Sequence, residues 1–198
     1  MKILVACEFS GVVRRAFRAR GHDAFSCDLL PALDASPFHI QDDVLRVLAQ
    51  GWDMMIAHPP CTYLCSSGLH WNNKVAGRKA LTEDALNFVR ALLSAPIGKI
   101  ALENPVGCIS TQIRTFNQII QPYQFGHDAS KTTCLWLKNL PALMPTKFIP
   151  ASCFSPTGLP RWANQTPTGQ NKLGPSKDRW AVRSITYQGI ADAMAELW

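Results

Sequence analysis

The chain has 198 residues, of which 47% are hydrophobic and 17% charged, and its formal net charge at pH 7 is +6. This length suffices for one domain with a sizeable core, and the composition is ordinary for a soluble globular protein. No apolar run approaches the length of a membrane span, and the apolar start MKILVACEF is too short for a signal peptide. We therefore expect a cytoplasmic protein that needs no membrane partner.

The cysteines and the basic excess limit the compartment and the partners. Seven cysteines are scattered along the chain without the spacing of a disulfide framework. This usage favours free thiols in a reducing compartment. The positive charge permits a polyanionic partner, but a modest basic excess for solubility explains it equally well.

Strand and helix patterns alternate along the chain. The apolar runs predict strands over residues 2–7, 23–28, 52–57, 99–105 and 132–140. The intervening patterns predict helices over residues 11–20, 42–51 (a short helix or a turn), 81–96, 110–120 and 189–198. This alternation predicts an α/β fold, a Rossmann-like doubly wound and mostly parallel sheet, in a single domain over residues 1–198.

The clearest helix pattern covers residues 81–96. Thr82 can cap it, acidic residues lie in its first turn and Pro96 stops it. Its expected buried face consists of Leu81, Ala85, Val89 and Leu92.

Residues 150–181 differ from the rest of the chain. They are rich in Pro, Gly, Ser, Thr, Asn and Gln, and they contain Trp162 and Trp180 among several basic residues. Such a segment predicts a long basic loop, which inside a compact domain is often functional or disordered.

Sheets of this class bind ligands beyond the carboxyl ends of their strands, so the residues that follow each strand are the candidates for chemistry. Phe9, Ser10 and Gly11 lie between the first strand and the first helix. A glycine there lets the backbone approach a ligand, and a helix N-terminus favours an anionic group. An ordinary tight turn explains the glycine equally well.

Two acidic residues follow on the same edge of the predicted sheet. Asp28 ends the second strand, where a carboxylate can accept hydrogen bonds from both hydroxyls of a ribose. It can also serve as a helix cap or lie in a solvated loop. For Asp43 the simplest role is to cap the helix that begins there.

The stretch HPPCTYLC, residues 58–65, places Cys61 directly after the third predicted strand. As a nucleophile, Cys61 needs a thiol pKa below the usual value of roughly 8.5. As a metal ligand it would join His58, Cys65 and His70, but their spacing is not a standard zinc pattern. As core filler it would need apolar neighbours, and the two prolines and the polar sequel argue against that role.

Glu103 ends the fourth predicted strand and precedes Asn104. Its carboxyl is either partly buried with a raised pKa or turned outward to water. A thiol at Cys61 and an acid at Glu103 on one edge suit attack on a ring that is protonated elsewhere.

These residues fall into motifs with a recognisable order. FSG (9–11), PPC (59–61) with SG (67–68), and ENP (103–105) each follow a predicted strand. They resemble the cofactor, proline-cysteine and glutamate-asparagine motifs of cytosine-C5 DNA methyltransferases. The resemblance covers roughly residues 1–140 and implies a class I methyltransferase fold, S-adenosylmethionine as cofactor and DNA as partner.

By this resemblance, Cys61 would add to C6 of cytosine while Glu103 hydrogen-bonds or protonates N3, and C5 would then accept the methyl group. A flipped base is implied, because Cys61 cannot reach a base inside a duplex. Asp28 would hold the ribose of the cofactor and Asp43 its adenine amine. The remaining cofactor-binding positions would be Phe9, Ser10, Gly11 and Pro59.

The chain departs from the family pattern at several positions. Val13 replaces a small residue, Thr62 replaces the usual glutamine after the catalytic cysteine, and Pro105 follows Glu-Asn. The later arginine-bearing strand seen in the family is replaced by SKTTCLWL, so Lys131 would supply the cation.

The chain is also much shorter than typical members, which leaves residues 150–181 as the remaining candidate for target recognition. In that segment the residues that could contact phosphates are Arg161, Lys172, Lys177 and Arg179. The tryptophans could stack on bases or simply anchor the loop. Two alternatives stay open: C5 modification of a free pyrimidine nucleotide, and a non-catalytic protein that binds nucleic acid or a partner.

Overall fold

A computed structural model describes residues 1–198. The strands are β1 (Lys2–Ala6), β2 (Asp23–Asp28), β3 (His39–Gln41), β4 (Met54–Ala57), β5 (Lys99–Pro105), β6 (Gln118–Ile120), β7 (Thr133–Lys138), β8 (Cys153–Phe154) and β9 (Pro160–Arg161). The α-helices are α1 (Val12–Ala19), α2 (Ser66–Leu69), α3 (Arg78–Leu93), α4 (Ile109–Gln112), α5 (Arg179–Ser184) and α6 (Gln188–Leu197). None of these helices combines the length and the apolar character needed to cross a membrane.

Seven strands form one mixed sheet in the order β3-β2-β1-β4-β5-β7-β6. Strands β1 to β5 all run parallel, whereas β7 pairs antiparallel with β5 and with β6. This arrangement confirms the predicted α/β fold with a Rossmann-like, mostly parallel sheet.

The core lies in two layers because alternate residues of each strand face opposite sides of the sheet. On one side, Ile3 and Val5 of β1 pack with helices α1 and α6. On the other side, Leu4 and Ala6 pack with α3 and with the turn around Val44. Burial on both sides explains why the central strands are continuous apolar runs in the sequence.

The predicted helix over residues 110–120 is wrong beyond its first turn. Helix α4 ends at Gln112, and residues 118–120 form the edge strand β6, which pairs with β7. Pairing with a distant strand overrides local helical spacing here. The segment 42–51 forms only a short 3₁₀ turn over Val44–Arg46, and the three-residue strand β3 before it was not predicted.

The helix predicted over residues 81–96 is α3, which begins three residues earlier than expected. Gly77 is its N-cap, so Thr82 does not cap it; Thr82 is buried and donates a hydrogen bond to Asn72. Leu81 is exposed, and the buried positions are Thr82, Leu86, Val89 and Leu92. The predicted face was therefore wrong at Leu81 and right at Val89 and Leu92.

The segment 150–181 contains the β8–β9 hairpin and the start of α5. Trp162 is buried and stacks on Tyr123 with ring centroids 4.0 Å apart, and its Nε1 donates to the carbonyl of Ile149. Trp162 therefore anchors the segment to the body of the protein. Trp180 is 58% exposed and contacts Phe9 at a centroid distance of 5.8 Å.

Candidate active site

The carboxyl ends of β1, β2, β4 and β5 lie side by side and carry most of the predicted site residues. Parallel register explains this placement, since Ala6 pairs with Ala57 and Ala57 pairs with Leu102. The next residues along β4 and β5 are His58 and Glu103, which are thus neighbours across the sheet.

His58 and Glu103 form a buried pair. The His58 Nδ1 lies 2.8 Å from Glu103 Oε2, and their side chains are 9% and 12% exposed. An ionised carboxylate can only accept hydrogen bonds, so Nδ1 carries the proton and donates a hydrogen bond to Oε2. The other ring nitrogen, Nε2, is buried and has no hydrogen-bond partner.

The Glu103 carboxyl is ionised at neutral pH. Burial acts to raise its pKa, but the charge of Lys131 and the hydrogen bond and charge of His58 outweigh burial and hold the pKa at about 2. Neither alternative drawn from the sequence describes this side chain: it is buried and not turned to water, and its pKa is lowered, because the first alternative took account of burial and not of these two partners. A carboxylate in this state accepts hydrogen bonds and does not supply a proton.

Cys61 lies in the electrostatic environment of both Glu103 and Lys131. Its pKa is raised, first by a thiol hydrogen bond with Cys65, then by burial and the neighbouring negative charges, whereas Lys131 lowers it. For Cys65 the pKa falls to about 5, because Cys61, Ser67 and backbone N–H groups all donate to its sulfur. Cys65 is therefore the more acidic of the two thiols.

The loop that carries Cys61 is fixed by Asn104 and by a tight turn. The side-chain amide of Asn104 donates to the carbonyl of buried Pro59 at 2.8 Å, and the Cys65 amide donates to the Cys61 carbonyl at 3.0 Å. The Oδ1 atom of Asn104 is buried without a partner. The site thus contains two buried polar atoms without a partner, Asn104 Oδ1 on β5 and His58 Nε2.

The turn between β1 and α1 is organised by Glu8. Its buried carboxylate accepts from the backbone N–H groups of Val13 at 2.7 Å and Arg14 at 3.2 Å, and from the hydroxyl of Ser10 at 3.2 Å. Glu8 therefore occupies the first backbone donors of α1, which an anionic ligand would otherwise meet. Phe9 and Ser10 are both buried.

Gly11 is required by its backbone and by its packing. Its φ is +71°, and a Cβ added there would lie 2.4 Å from the Arg14 Nη2 atom. Buried Arg14 in turn binds Asp34 at 2.5 Å, which ties the loop after β2 to the start of α1. The glycine thus serves packing of this turn, in addition to any ligand that approaches it.

Asp28 and Asp43 lie around the end of β1. Both carboxylates contribute to the raised pKa of Cys7, after the larger effect of its burial. The Asp28 Oδ1 accepts from the Leu30 amide at 3.0 Å, and burial raises the Asp28 pKa. Asp43 accepts from the Leu45 amide and caps the 3₁₀ turn, as its simplest role requires.

The basic residues of segment 150–181 divide into two pairs. The guanidinium groups of Arg161 and Arg179 donate to backbone carbonyls within the segment, at Pro167 and Leu173 respectively. Lys172 and Lys177 are exposed. Two of the four candidate phosphate contacts are therefore already engaged inside the protein.

A small pocket connects the site to the start of α6. Its walls include Glu103, Lys131, Thr133, Thr186 and Tyr187. The Lys131 ammonium donates to the carbonyl of Arg183 at 3.0 Å, at the end of α5. Segment 179–187 therefore contacts the site at Lys131 and lines the pocket beside Glu103.

Sequence reasoning missed three contributors to this site. His58 and Cys65 were considered only as metal ligands, whereas the described residues contain no group of three or more side chains placed to hold a metal ion. Glu8 was not weighed as a contributor. Parallel register would have paired His58 with Glu103, since each follows a strand at the same level of the sheet.

Comparison with known proteins adds little to this description. No protein-family model and no curated protein matches the chain. Among solved structures, one match is an E. coli prophage protein described provisionally as a DNA modification methyltransferase, with a TM-score of 0.49 and 16% identity. The match covers 75% of this chain and 52% of that protein, so the chain spans about half its length, and the similarity is too low to carry a functional argument.

Proposed function

We propose that this protein transfers a methyl group from S-adenosylmethionine to C5 of cytosine in DNA, through a covalent adduct at Cys61. The observation that carries the proposal is the convergence of a thiol, a carboxylate and an ammonium group at one edge of the sheet. Cys61 follows β4, Glu103 lies near the end of β5 and Lys131 precedes β7; the charges of Glu103 and Lys131 both act on the Cys61 thiol, and that of Lys131 acts on Glu103. Nucleophile, acceptor and cation are the groups that addition to a pyrimidine ring requires.

The thiol pair supplies the nucleophile in this proposal. Cys61 loses its proton to Cys65, the Cys61 sulfur forms a bond to C6, and the electrons of the C5–C6 double bond move into the ring. Lys131 lowers the pKa of Cys61 and so favours the thiolate during attack. C5, made electron-rich by the addition, would take the methyl group that the bound cofactor supplies. A solvent water then removes the C5 proton, the C5–C6 double bond re-forms as the C6–sulfur bond breaks, and the Cys61 thiolate regains its proton from Cys65.

Glu103 stabilises the ring as it becomes protonated at N3. An N3-protonated cytosine presents two adjacent N–H donors, one on the ring and one on the exocyclic amine. A carboxylate accepts from such a pair, and the ionised state of Glu103 suits this role. In this scheme the N3 proton comes from solvent, and Glu103 stabilises the positive charge.

The residues around β1 and β2 fit a nucleoside-containing cofactor by their donor set. Asp28 and Asp43 are carboxylates around one strand end, and the exposed ring of Trp180 lies against Phe9. We assign the ribose to Asp28, the adenine amine to Asp43, and the methionine end to Phe9, Ser10, Gly11 and Pro59. When bound, the cofactor supplies an electrophilic methyl group.

A mechanism-based oligonucleotide tests the proposal. Wild-type protein, S-adenosylmethionine and DNA containing C5-fluorocytosine should give a covalent complex, because the fluorine cannot leave as a proton does. Peptide mass analysis should locate the adduct at Cys61; Cys61→Ser should give none, and Glu103→Gln should form it about 10²- to 10⁴-fold more slowly. Cys153→Ser, at an exposed cysteine outside the site, is the matched control and should form the adduct as wild type does. An adduct at Cys65 or none at all would contradict the assignment.

A free pyrimidine nucleotide is the second candidate substrate. It is favoured by the engagement of Arg161 and Arg179 within their own segment, which leaves Lys172 and Lys177 as the exposed phosphate contacts. Methyl transfer to dCMP and to duplex DNA should be compared at equal cytosine concentration. Faster transfer to dCMP, unaffected by Lys172→Ala and Lys177→Ala, would favour the nucleotide.

A further inference from the structure

His58 is the strongest unassigned feature of the site. Its ring is nine-tenths buried, its Nδ1 donates to Glu103 Oε2 at 2.8 Å, and its Nε2 is buried without a partner. A buried nitrogen left unpaired destabilises a fold, so stability alone does not favour a histidine here. The hydrogen bond to Glu103 is what the side chain contributes.

The hydrogen bond also decides which oxygen of Glu103 can meet a ligand. With Oε2 held by His58, the other oxygen has no hydrogen bond within the protein and is not among the fully buried unpaired atoms. Lys131 acts on the same carboxylate by its charge. His58 thus orients the Glu103 carboxylate, while the charge of Lys131 stabilises its ionised form.

We propose that His58 is a positioning residue, which orients Glu103 and holds it as an acceptor for the N–H edge of the target pyrimidine. The inference rests on the proposed function of Glu103, but it concerns a residue outside the motifs that suggested that function. His58 acts through the carboxylate and forms no bond to the substrate. Its donated proton stays on Nδ1 throughout.

Several other groups lie around Glu103 and must be separated from His58. They are Lys131 before β7, Cys61 in the loop after β4, Cys134 within β7 and Tyr187 before α6. None of these is altered by a substitution at His58. Because His58 acts on Glu103 by its charge as well as by its hydrogen bond, the hydrogen bond is isolated by comparing two variants that both lack the ring.

Two substitutions separate the two nitrogens of the ring. The amide of His58→Asn lies near the position of Nδ1 and can still donate to Glu103. The longer side chain of His58→Gln places its amide near Nε2 and loses that donor. His58→Leu, which also lacks the donor, takes the place of His58→Gln if the latter does not fold.

The first readout needs no substrate or cofactor. Carbon-13 labelling of glutamate carboxyls, with Glu103 identified by the resonance lost in Glu103→Gln, should show no Glu103 titration in wild type between pH 7 and about 4. We expect the titration to move upward in His58→Gln, short of the usual value since Lys131 remains, and to stay low in His58→Asn. Identical titration in wild type and His58→Gln would overturn the proposal.

The second readout is the rate of covalent complex formation with C5-fluorocytosine DNA. His58→Gln should be slower than His58→Asn by about 10- to 100-fold, the effect of one hydrogen bond to a charged group. The acid limb of its pH profile should shift upward with the Glu103 titration. Equal rates in the two variants would refute the positioning role, whereas absence of complex in wild type would refute the proposed function and leave the carboxyl titration to decide on His58.

Discussion

Acidification should destabilise the protein through Glu103 by an amount that can be calculated. The carboxyl has a pKa of about 2 in the folded protein against a usual value of 4.5. At about 1.4 kcal/mol for each tenfold change in dissociation constant, this difference contributes about 3 kcal/mol to the free energy of unfolding. Because the folded pKa is the lower one, the contribution is complete above pH 4.5 and disappears as the pH falls toward 2, with about 2 kcal/mol lost by pH 3.

Urea unfolding at pH 7 and pH 3, followed by tryptophan fluorescence, measures this loss. Other carboxyls titrate over the same range, so the test is the difference between wild type and Glu103→Gln, which cannot titrate at that position. Wild type should lose about 2 kcal/mol more than the variant. Lys131→Met should reduce the loss, since it removes the main charge that lowers the Glu103 pKa. Equal losses in wild type and Glu103→Gln would refute the account of an ionised buried carboxylate.

Three further outcomes follow from the structure. Iodoacetamide should modify Cys65 with a midpoint near pH 5, as followed by peptide mass analysis, and a midpoint near 8 or 9 would contradict the lowered pKa of this thiol. Gly11→Ala should lower the free energy of unfolding by about 1–3 kcal/mol, as measured by urea unfolding. Gly21→Ala should cost less, because Gly21 has a similar φ but open space around it. Equal costs would rule out a contribution from the arginine side chain that packs against Gly11. Trp162→Leu should lower the free energy of unfolding by about 3 kcal/mol, whereas the exposed Trp180→Leu should change it little, and the reverse order would contradict the anchoring role.

The sequence was most informative where both faces of the sheet are covered. Strands β1, β2, β4, β5 and β7 are apolar because their residues contribute to both core layers, and each was predicted near its observed position. The short edge strands β3 and β6 were missed because a strand of three residues is too short to show the alternation of apolar and polar positions that marks a strand in sequence. Their structure comes from pairing with β2 and β7, which local sequence does not encode.

The location of the candidate site was predictable and its charge state was not. Parallel topology places residues that follow neighbouring strands at one edge, and this argument located Cys61, Glu103 and Asp28. The ionisation of Glu103 depends on Lys131, which reaches it from before an antiparallel strand, and on His58, whose role depends on register. Likewise, the acidity of Cys65 depends on the turn that brings it beside Cys61.

The positions that break the ordinary rules of packing are concentrated at the same edge of the sheet. Four buried side-chain polar atoms have no partner: Arg14 Nε, His58 Nε2, Arg78 Nε and Asn104 Oδ1. His58 and Asn104 follow or end the central strands, Arg14 packs on the turn after β1, and Arg78 binds the loop that carries Cys61 at the Thr62 carbonyl. Directly after β1, Cys7 adopts a φ of +59°, a conformation that non-glycine residues rarely adopt.

A fold selected for stability alone would satisfy these atoms or replace them with apolar groups. Unpaired polar atoms gather where a protein is organised to hold something else. Positive φ also occurs at Ala35 and at Asn139 after β7, so the unpaired atoms, and not the backbone of Cys7, distinguish this edge. The residues that carry these unpaired atoms lie around Cys61 and Glu103, whereas the fully buried interiors of the strands contain none. This distribution argues for a ligand-binding edge independently of any motif, and it would lose its force if substitutions that remove these atoms, such as His58→Leu, left both stability and Glu103 titration unchanged.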